Sequence, residues 1–377
     1  MLVPFNKPYF VGTETRYIEE AVRSGKLSGD GMFTRRCEEW LQARLEVPRI
    51  LLTTSGTDAL ELAALLLDLE PGDEVLLPSF TFSSTATAFA LRGARLVFVD
   101  STASSPAFDA TQLAALVTPR TRAIVPVHYA GVACDMATVQ TIAEQHNLVV
   151  VEDAAQALGG NFLGQPLGTL GALAAFSFHE TKNVTAGGEG GMLAVNNPQL
   201  MARAEILREK GTNRAAFFRG EVAKYSWVDV GSSFLPAEIN AAFLWAQLEQ
   251  LDFIQQRRQA IWAQYFEQLQ PLAAFGVGLP VVPDYSTQNG HLFYLVCCTL
   301  AERTALIAFL KEQHITAIFH YQPLHSSPYY APRHDGRDLP WATHYADCLV
   351  RLPLYTALEV SQQQRIIRAV LRFYRVL

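Results

Sequence analysis

The sequence lacks the features of nucleic-acid-binding, secreted and membrane-spanning proteins. Its 377 residues include 30 Lys and Arg and 36 Asp and Glu, with a formal net charge of −6 and no basic block. A nucleic-acid-binding protein normally presents a basic face. No apolar run reaches the roughly 18–20 residues that cross a bilayer, and the opening MLVPFNKPYF lacks the basic and apolar regions of a secretory signal. We therefore expect a cytoplasmic protein that binds neither nucleic acid nor membrane.

Cysteine is also scarce, and its placement excludes a metal or disulfide framework. The five cysteines are odd in number and none has metal-ligand spacing: Cys37, Cys134, Cys297, Cys298 and Cys348. This pattern favours reduced thiols, mostly packed as small core residues. We interpret the adjacent Cys297 and Cys298 as strand packing and predict no metal site.

The sequence is rich in apolar strands that alternate with helices. Half of the residues are hydrophobic, and the length suggests two domains. Between residues 49 and 200, the runs RILLTT, EVLLP, ARLVFVD, TRAIVPVHY and NLVVVED alternate with helical segments. This alternation predicts an α/β fold with a mostly parallel sheet flanked by helices. A strongly helical stretch over residues 235–270 precedes short strands and helices. We therefore predict a large domain over 1–250 and a smaller C-terminal α+β domain over 251–377.

Two polar segments lie where predicted strands end, which is where ligands bind in open α/β sheets. In Thr54-Ser55-Gly56-Thr57, glycine permits close approach of the backbone, and free N–H groups at a helix start favour a phosphate. An ordinary N-capped turn would look the same. In the segment PSFTFSST at residues 78–85, an aromatic side chain could stack on a cofactor ring or be a core phenylalanine.

Two further strand ends carry ionisable residues. Asp153 ends the run LVVVED and is followed by small residues, so it could face a protonated pyridine nitrogen or cap the next helix. Lys182 follows the strand-like FSF and precedes the glycine-rich AGGEGG, which suits an amine that points inward and forms a Schiff base with a carbonyl cofactor. Ser177, five residues earlier, could reach the cofactor phosphate.

The order of phosphate turn, aromatic residue, acid and lysine resembles the fold-type I enzymes that use pyridoxal 5′-phosphate (PLP). Further stretches resemble the DegT/DnrJ-type sugar aminotransferases along essentially the whole chain: SGKLSGDG (24–31), TTSGTDAL (53–60), PSFTFSSTA (78–86), FVD (98–100), VPVHYAG (125–131), VEDAAQALGG (151–160), FSFHETKNVTAGGEGG (176–191) and FHYQPLH (319–325). Within this family, the chain most resembles members that form dTDP-4-amino-4,6-dideoxygalactose for enterobacterial common antigen.

The resemblance implies a PLP enzyme that is a homodimer with shared active sites. Lys182 would bind PLP covalently and Asp153 would pair with its pyridine nitrogen, so these two residues would be catalytic. The remaining cofactor contacts would be Gln156 near the ring hydroxyl, Phe82 on the ring face, and Gly56, Thr57 and Ser177 at the phosphate. The family usually adds an asparagine from the other subunit, whereas this chain has Ser233 at that position.

The resemblance also implies a reaction. L-Glutamate would donate its amino group, through PLP, to C4 of dTDP-4-keto-6-deoxy-D-glucose, with Lys26, Arg214, His320 and Tyr321 lining the sugar-nucleotide cleft. Another nucleotide-linked keto sugar is the main alternative. A sugar dehydratase of the same fold would carry histidine at the position of Lys182. A non-catalytic regulator should have lost Lys182, Asp153 or Gln156, and all three are present.

Overall fold

The structure is a computed structural model that describes residues 2–376. The strands are β1 (Arg49–Thr53), β2 (Glu74–Pro78), β3 (Arg95–Val99), β4 (Thr121–Ile124), β5 (Val149–Asp153), β6 (Asn161–Phe162), β7 (Gln165–Pro166), β8 (Leu173–Ser177), β9 (Gly191–Val195), β10 (Phe293–Val296), β11 (Ile318–Phe319) and β12 (Leu349–Leu352). The helices are α1 (Glu14–Arg23), α2 (Met32–Leu45), α3 (Gly56–Leu66), α4 (Ser83–Ala90), α5 (Leu113–Leu116), α6 (Met136–His146), α7 (Met201–Arg208), α8 (Arg214–Phe218), α9 (Glu238–Leu248), α10 (Leu251–Leu269), α11 (Leu300–Glu312), α12 (Pro340–Cys348) and α13 (Val360–Phe373).

A seven-stranded sheet in the order β1-β9-β8-β5-β4-β2-β3 forms the centre of the molecule. The pairs from β8 through β5, β4 and β2 to β3 are parallel, and β9 runs antiparallel to both of its neighbours. The prediction of a mostly parallel sheet flanked by helices is confirmed. Its central strands are apolar without alternation because both of their faces are buried.

The helix after β1 shows how local sequence positions the site. The Ser55 side chain accepts a hydrogen bond from the Asp58 N–H and so caps α3. The following GTDALELAALL packs α3 against β8 and β9. The start of α3 is therefore fixed at the edge of the sheet where β1, β5 and β8 end.

A second, three-stranded antiparallel sheet in the order β10-β12-β11 lies in the C-terminal part of the chain. Its core includes Val3, close to the start of the chain, whose N–H donates to the His314 carbonyl. Helix α10 connects the two cores, because Leu251 and Ile254 pack with the large sheet and Ile261 with the small sheet. We propose that the boundary between the two domains lies within α10.

The helical stretch predicted over residues 235–270 is two helices, α9 and α10. They are separated at Glu249 and Gln250, where Gln250 leaves helical geometry with φ −112° and ψ 14°. All five cysteines are free thiols; Cys297 is buried and Cys298 is exposed. Among residues 2–376, no helix is long and apolar enough to cross a membrane, and no cluster of acidic, histidine and cysteine side chains could hold a metal ion.

Candidate active site

A cavity of about 660 Å³ lies between the carboxyl ends of the large sheet's parallel strands and the small sheet. Nine of the residues singled out in the sequence line it: Gly56, Thr57, Phe82, Asp153, Gln156, Ser177, Lys182, His320 and Tyr321. Its size is in the range of small-molecule sites. The topology brings together residues that are more than 260 positions apart in the chain.

The start of α3 forms one end of the cavity. Gly56 packs so closely on β8 that a Cβ atom there would lie 2.8 Å from the Ser177 Cβ. The backbone N–H groups of Gly56 and Thr57 belong to the first turn, where an α-helix has no internal acceptors. The Thr57 hydroxyl lies 2.7 Å from the Ser84 hydroxyl. Together with Ser177, these groups form a cradle of donors suited to a phosphate.

Asp153 ends β5 and is buried. Its Oδ2 accepts from the Thr85 hydroxyl at 2.6 Å, and its Oδ1 accepts from the Ala155 N–H at 3.1 Å. Among the described residues, no lysine, arginine or histidine forms an ion pair with it. A buried carboxylate that lacks a cationic partner and faces a cavity is suited to a positively charged ligand atom, such as a protonated pyridine nitrogen.

Lys182 lies in the loop between β8 and β9. Hydrogen bonds from Phe178 N to Gly190 O and from Glu180 N to Gly188 O hold this loop closed. Burial lowers the pKa of the Lys182 amine to about 8; the charge of Asp153 opposes this shift, and that of Arg351 adds to it. An amine with this pKa is partly neutral near pH 7–8, which suits a nucleophile and a proton carrier.

Gln156 and Tyr321 form one side of the cavity together. Gln156 Oε1 accepts from the Ala130 N–H at 2.7 Å, and its Nε2 donates to the Tyr321 hydroxyl at 2.9 Å. His320 stacks on Tyr321 with ring centroids 3.5 Å apart, and its Nδ1 lies 2.6 Å from the Tyr129 hydroxyl. Tyr321 has φ +40°, an uncommon conformation for a non-glycine residue and one that is frequent at functional sites.

Phe82 is 58% exposed at the cavity, whereas the nearby Phe80 is fully buried. The single chain does not bring three other predicted residues into the cavity. Lys26 is exposed and its amine donates to the Asp30 carbonyl. Arg214 forms an ion pair with Glu209 and lies over the Phe218 ring. Ser233 is on an exposed surface.

Two of the cavity-lining residues that were not predicted from the sequence, Thr85 and Arg351, affect the predicted ones. The Thr85 hydroxyl donates to Asp153, although the sequence of its segment indicated only an aromatic contact. Arg351 comes from β12 in the small sheet. The available signal was an arginine within the apolar run CLVRLPL, but its position beside Lys182 depends on the packing of the two sheets.

The comparisons with known proteins agree with this site. Residues 9–371 match the DegT/DnrJ/EryC1/StrS aminotransferase family. The chain belongs to this family. It is 33% identical over 378 residues to the spore coat polysaccharide biosynthesis protein SpsC of Bacillus subtilis, covering 98% of this chain and 96% of SpsC. It is also 33% identical over 363 residues to a pleiotropic regulatory protein of Geobacillus stearothermophilus, covering 96% and 94%.

Solved structures of sugar aminotransferases share the whole fold. DesV of S. venezuelae is 32% identical with a TM-score of 0.89, covering 99% of this chain and 98% of DesV. Spr1654 of Streptococcus pneumoniae, solved in PLP and PMP forms, has a TM-score of 0.90 over the full length of both chains; the PLP form is 27% identical. The protein is a PLP-dependent sugar aminotransferase. The cradle at Gly56, the unpaired Asp153 carboxylate and the Lys182 amine fit that cofactor.

Proposed function

We propose that this aminotransferase moves an amino group from L-glutamate to C4 of dTDP-4-keto-6-deoxy-D-glucose, giving dTDP-4-amino-4,6-dideoxy-D-galactose. The observation that carries the aminotransferase chemistry is that the Lys182 amine and the Asp153 carboxylate face one cavity beside a phosphate cradle. The choice of sugar is supported by FTRRCEEWL, VPVHYAGVACDM, FSFHETKN, REKGTNR and VGSSF, which resemble the dTDP-4-amino-4,6-dideoxygalactose transaminase of enterobacterial common antigen synthesis.

Six of the cavity residues are proposed to hold the cofactor. Gly56, Thr57 and Ser177 hold the cofactor phosphate, Phe82 covers the ring, Gln156 faces the ring hydroxyl, and Asp153 keeps the pyridine nitrogen protonated. PLP, when bound, supplies an electron sink that permits cleavage of the bond between the α-carbon and its hydrogen.

Lys182 is the proposed proton carrier. It removes the proton from the α-carbon of the amino donor in the first half-reaction and delivers a proton to C4 of the sugar in the second. Its lowered pKa suits both directions, because a general base and acid is most effective when its pKa is close to the working pH.

A homodimer is the proposed functional state. Residues 218–230 place five apolar side chains on the surface, and we name this segment the 218–230 surface: Phe218, Tyr225, Trp227, Val228 and Val230 are between 49% and 78% exposed. An apolar surface of this kind is typical of a protein–protein interface. It directly precedes Ser233, so a partner seated there would bring Ser233 close to a second cofactor site. Lys26 and Arg214 are proposed to contact the sugar nucleotide in that dimer.

Product analysis tests the proposal. The purified protein is incubated with PLP, L-glutamate and dTDP-4-keto-6-deoxy-D-glucose, and the product is identified by mass spectrometry and proton NMR. The expected product carries an axial amine at C4. An equatorial amine would contradict the proposed configuration, and no amino sugar from a protein that still converts its cofactor with glutamate would contradict the proposed acceptor and favour another nucleotide-linked keto sugar.

A further inference from the structure

Arg351 is a cation that lines the cavity, and none of the proposed cofactor contacts or proton transfers uses it. It lies on β12, where Val350 and Leu352 pack into the core of the small sheet. Side chains alternate between the two faces of a strand, so Arg351 projects from the other face, where it lines the cavity with Lys182. Its cross-strand neighbour Ile318 also lines the cavity.

The guanidinium of Arg351 has hydrogen-bonding capacity that the protein does not use. Its Nε is buried and has no hydrogen-bond partner, and its Nη2 donates to the Phe319 carbonyl at 3.3 Å. The guanidinium lies 4.7 Å from the centre of the Phe5 ring, which holds it in place. Within residues 2–376, no carboxylate forms an ion pair with it, although Asp153 and Glu189 line the same cavity.

Two fully buried arginines are compensated more completely than the half-buried Arg351. Arg208 forms ion pairs with Asp30 and Glu38, and Arg258 donates to three backbone carbonyls. Partial removal of a cation from water without such compensation is unfavourable, because its desolvation is not offset. An unpaired arginine that lines a cavity, as Arg351 does, is therefore typical of a residue that binds an anionic ligand.

We propose that Arg351 binds the α-carboxylate of the amino donor. This inference rests on the proposed function and assigns a carboxylate site within it. In an α-amino acid the carboxylate is bonded directly to the carbon that loses its proton, so a receptor for it must lie beside Lys182. In a sugar nucleotide the ring separates C4 from the pyrophosphate, and the cofactor phosphate already has donors at the start of α3, on the large sheet.

The electrostatics of the cavity agree with this assignment. Burial lowers the pKa of His291 and of His320 well below the ordinary histidine value, so neither ring is charged near neutral pH. Arginine remains charged in proteins even where, as for Arg351, burial lowers its pKa. Once Lys182 is bound to the cofactor, Arg351 is the fixed positive charge that an incoming carboxylate meets, and its planar fork matches a carboxylate.

A binding experiment that does not depend on turnover tests the inference. Isothermal titration calorimetry on the PLP-loaded protein measures the affinity for 2-methyl-L-glutamate, which lacks the α-hydrogen. It also measures the affinity for 4-amino-4-methylpentanoate, which lacks that hydrogen too and has a methyl group in place of the α-carboxylate. Wild-type protein should bind the first probe more tightly. In Arg351→Gln the affinity for 2-methyl-L-glutamate should fall by about 30-fold, while the affinity for 4-amino-4-methylpentanoate changes little.

Two further variants control for structural effects. Arg351→Lys keeps the charge but loses the fork, so it should recover part of the lost affinity. Arg333, which lies 4.7 Å from the Tyr329 ring outside the cavity, provides a matched stacked arginine, and Arg333→Gln should bind both probes as the wild type does. The PLP content and melting temperature of each variant show whether it is folded.

The outcomes separate this inference from the proposed function. If Arg351→Gln lowered the affinity for both probes equally, or left both affinities unchanged, the carboxylate assignment would be overturned. A loss of affinity for the dTDP-linked sugar with glutamate binding intact would also overturn it and assign Arg351 to the nucleotide. A further outcome is that the protein binds 2-methyl-L-glutamate in an Arg351-dependent way and yet forms no amino sugar from the dTDP-linked substrate. That result would support the carboxylate site and contradict the proposed sugar acceptor.

Discussion

At the level of single residues, the chemistry depends on the proton affinity of Lys182. Burial is the main reason why its pKa falls from 10.5 to about 8, and the nearby positive charge of Arg351 acts in the same direction. The negative charge of Asp153 acts against it. An amine in water with the ordinary lysine pKa would be almost fully protonated at neutral pH and a poor nucleophile.

The lowered pKa predicts how the apoprotein captures PLP. Only the neutral amine attacks a carbonyl, so the rate of covalent attachment should rise about tenfold per pH unit below pH 8 and level off above it. Borohydride trapping followed by mass spectrometry of the Lys182 peptide measures this rate. Asp153→Asn should shift the midpoint to lower pH, because it removes the charge that raises the pKa. A rate that rises steadily to pH 10 would contradict the account.

At the level of elements, the end of β5 is anchored by Glu152, the neighbour of Asp153. Its carboxylate is fully buried and accepts hydrogen bonds from the backbone N–H groups of Gly168, Leu170 and Gly171 at 2.6–2.8 Å. It also lies 2.8 Å from His128 Nε2. Burial alone would lower the pKa of His128, but its hydrogen bonds with Cys134 and Glu152 raise it to about 10. His128 Nδ1 accepts from the Cys134 N–H at 3.3 Å, so Nε2 is the ring nitrogen that donates to Glu152.

This anchor predicts a large loss of stability when it is removed. Glu152→Leu leaves three buried backbone N–H groups and the buried His128 Nε2 without a partner, and it should lower the free energy of unfolding by about 3 kcal/mol or more. Urea denaturation followed by circular dichroism measures the change. Glu144→Leu, on the exposed side of α6, is the matched control and should change stability by less than about 0.5 kcal/mol. Equal effects of the two substitutions would refute the anchoring role.

The elements also show what the sequence can and cannot predict. The strands of the large sheet were predictable because strands buried on both faces are continuous apolar runs, and the strand ends located Asp153 and Lys182. The antiparallel direction of β9 was not predictable, because a continuously apolar strand such as GMLAV has the same pattern whether it pairs parallel or antiparallel. The break at Gln250 has no glycine or proline to mark it, and Leu248 and Leu251 on either side of it pack in the same core.

At the level of the whole molecule, the cavity depends on how the two sheets pack together. Arg351 reaches it only because the small sheet packs against the large one, which no local pattern indicates. Lys26, Arg214 and Ser233 lie outside it, and their proposed roles depend on a partner subunit.

The proposed dimer predicts the effect of a charge on the 218–230 surface. Val228→Glu should convert a homodimer to monomers and reduce PLP retention, because a charge in an interface core is desolvated without a partner. Size-exclusion chromatography with light scattering measures the mass. Val360, at the start of α13, has a similar exposure of 57% against 52% for Val228, and Val360→Glu should leave the dimer intact. A wild-type protein that is monomeric at micromolar concentration would contradict the shared active site.

The central claim is that Lys182 moves the protons in a cofactor-dependent transfer of nitrogen from an amino acid to a keto sugar. The most direct measurement supplies nitrogen-15 L-glutamate, PLP and dTDP-4-keto-6-deoxy-D-glucose and follows the label by NMR. The account predicts that the wild type places the label on C4 of the sugar, and that Lys182→Ala lowers this rate at least about a thousandfold while still binding PLP. Lys224→Ala, at an exposed position, should match the wild type. Label transfer that persists at a substantial rate in folded Lys182→Ala would contradict the account.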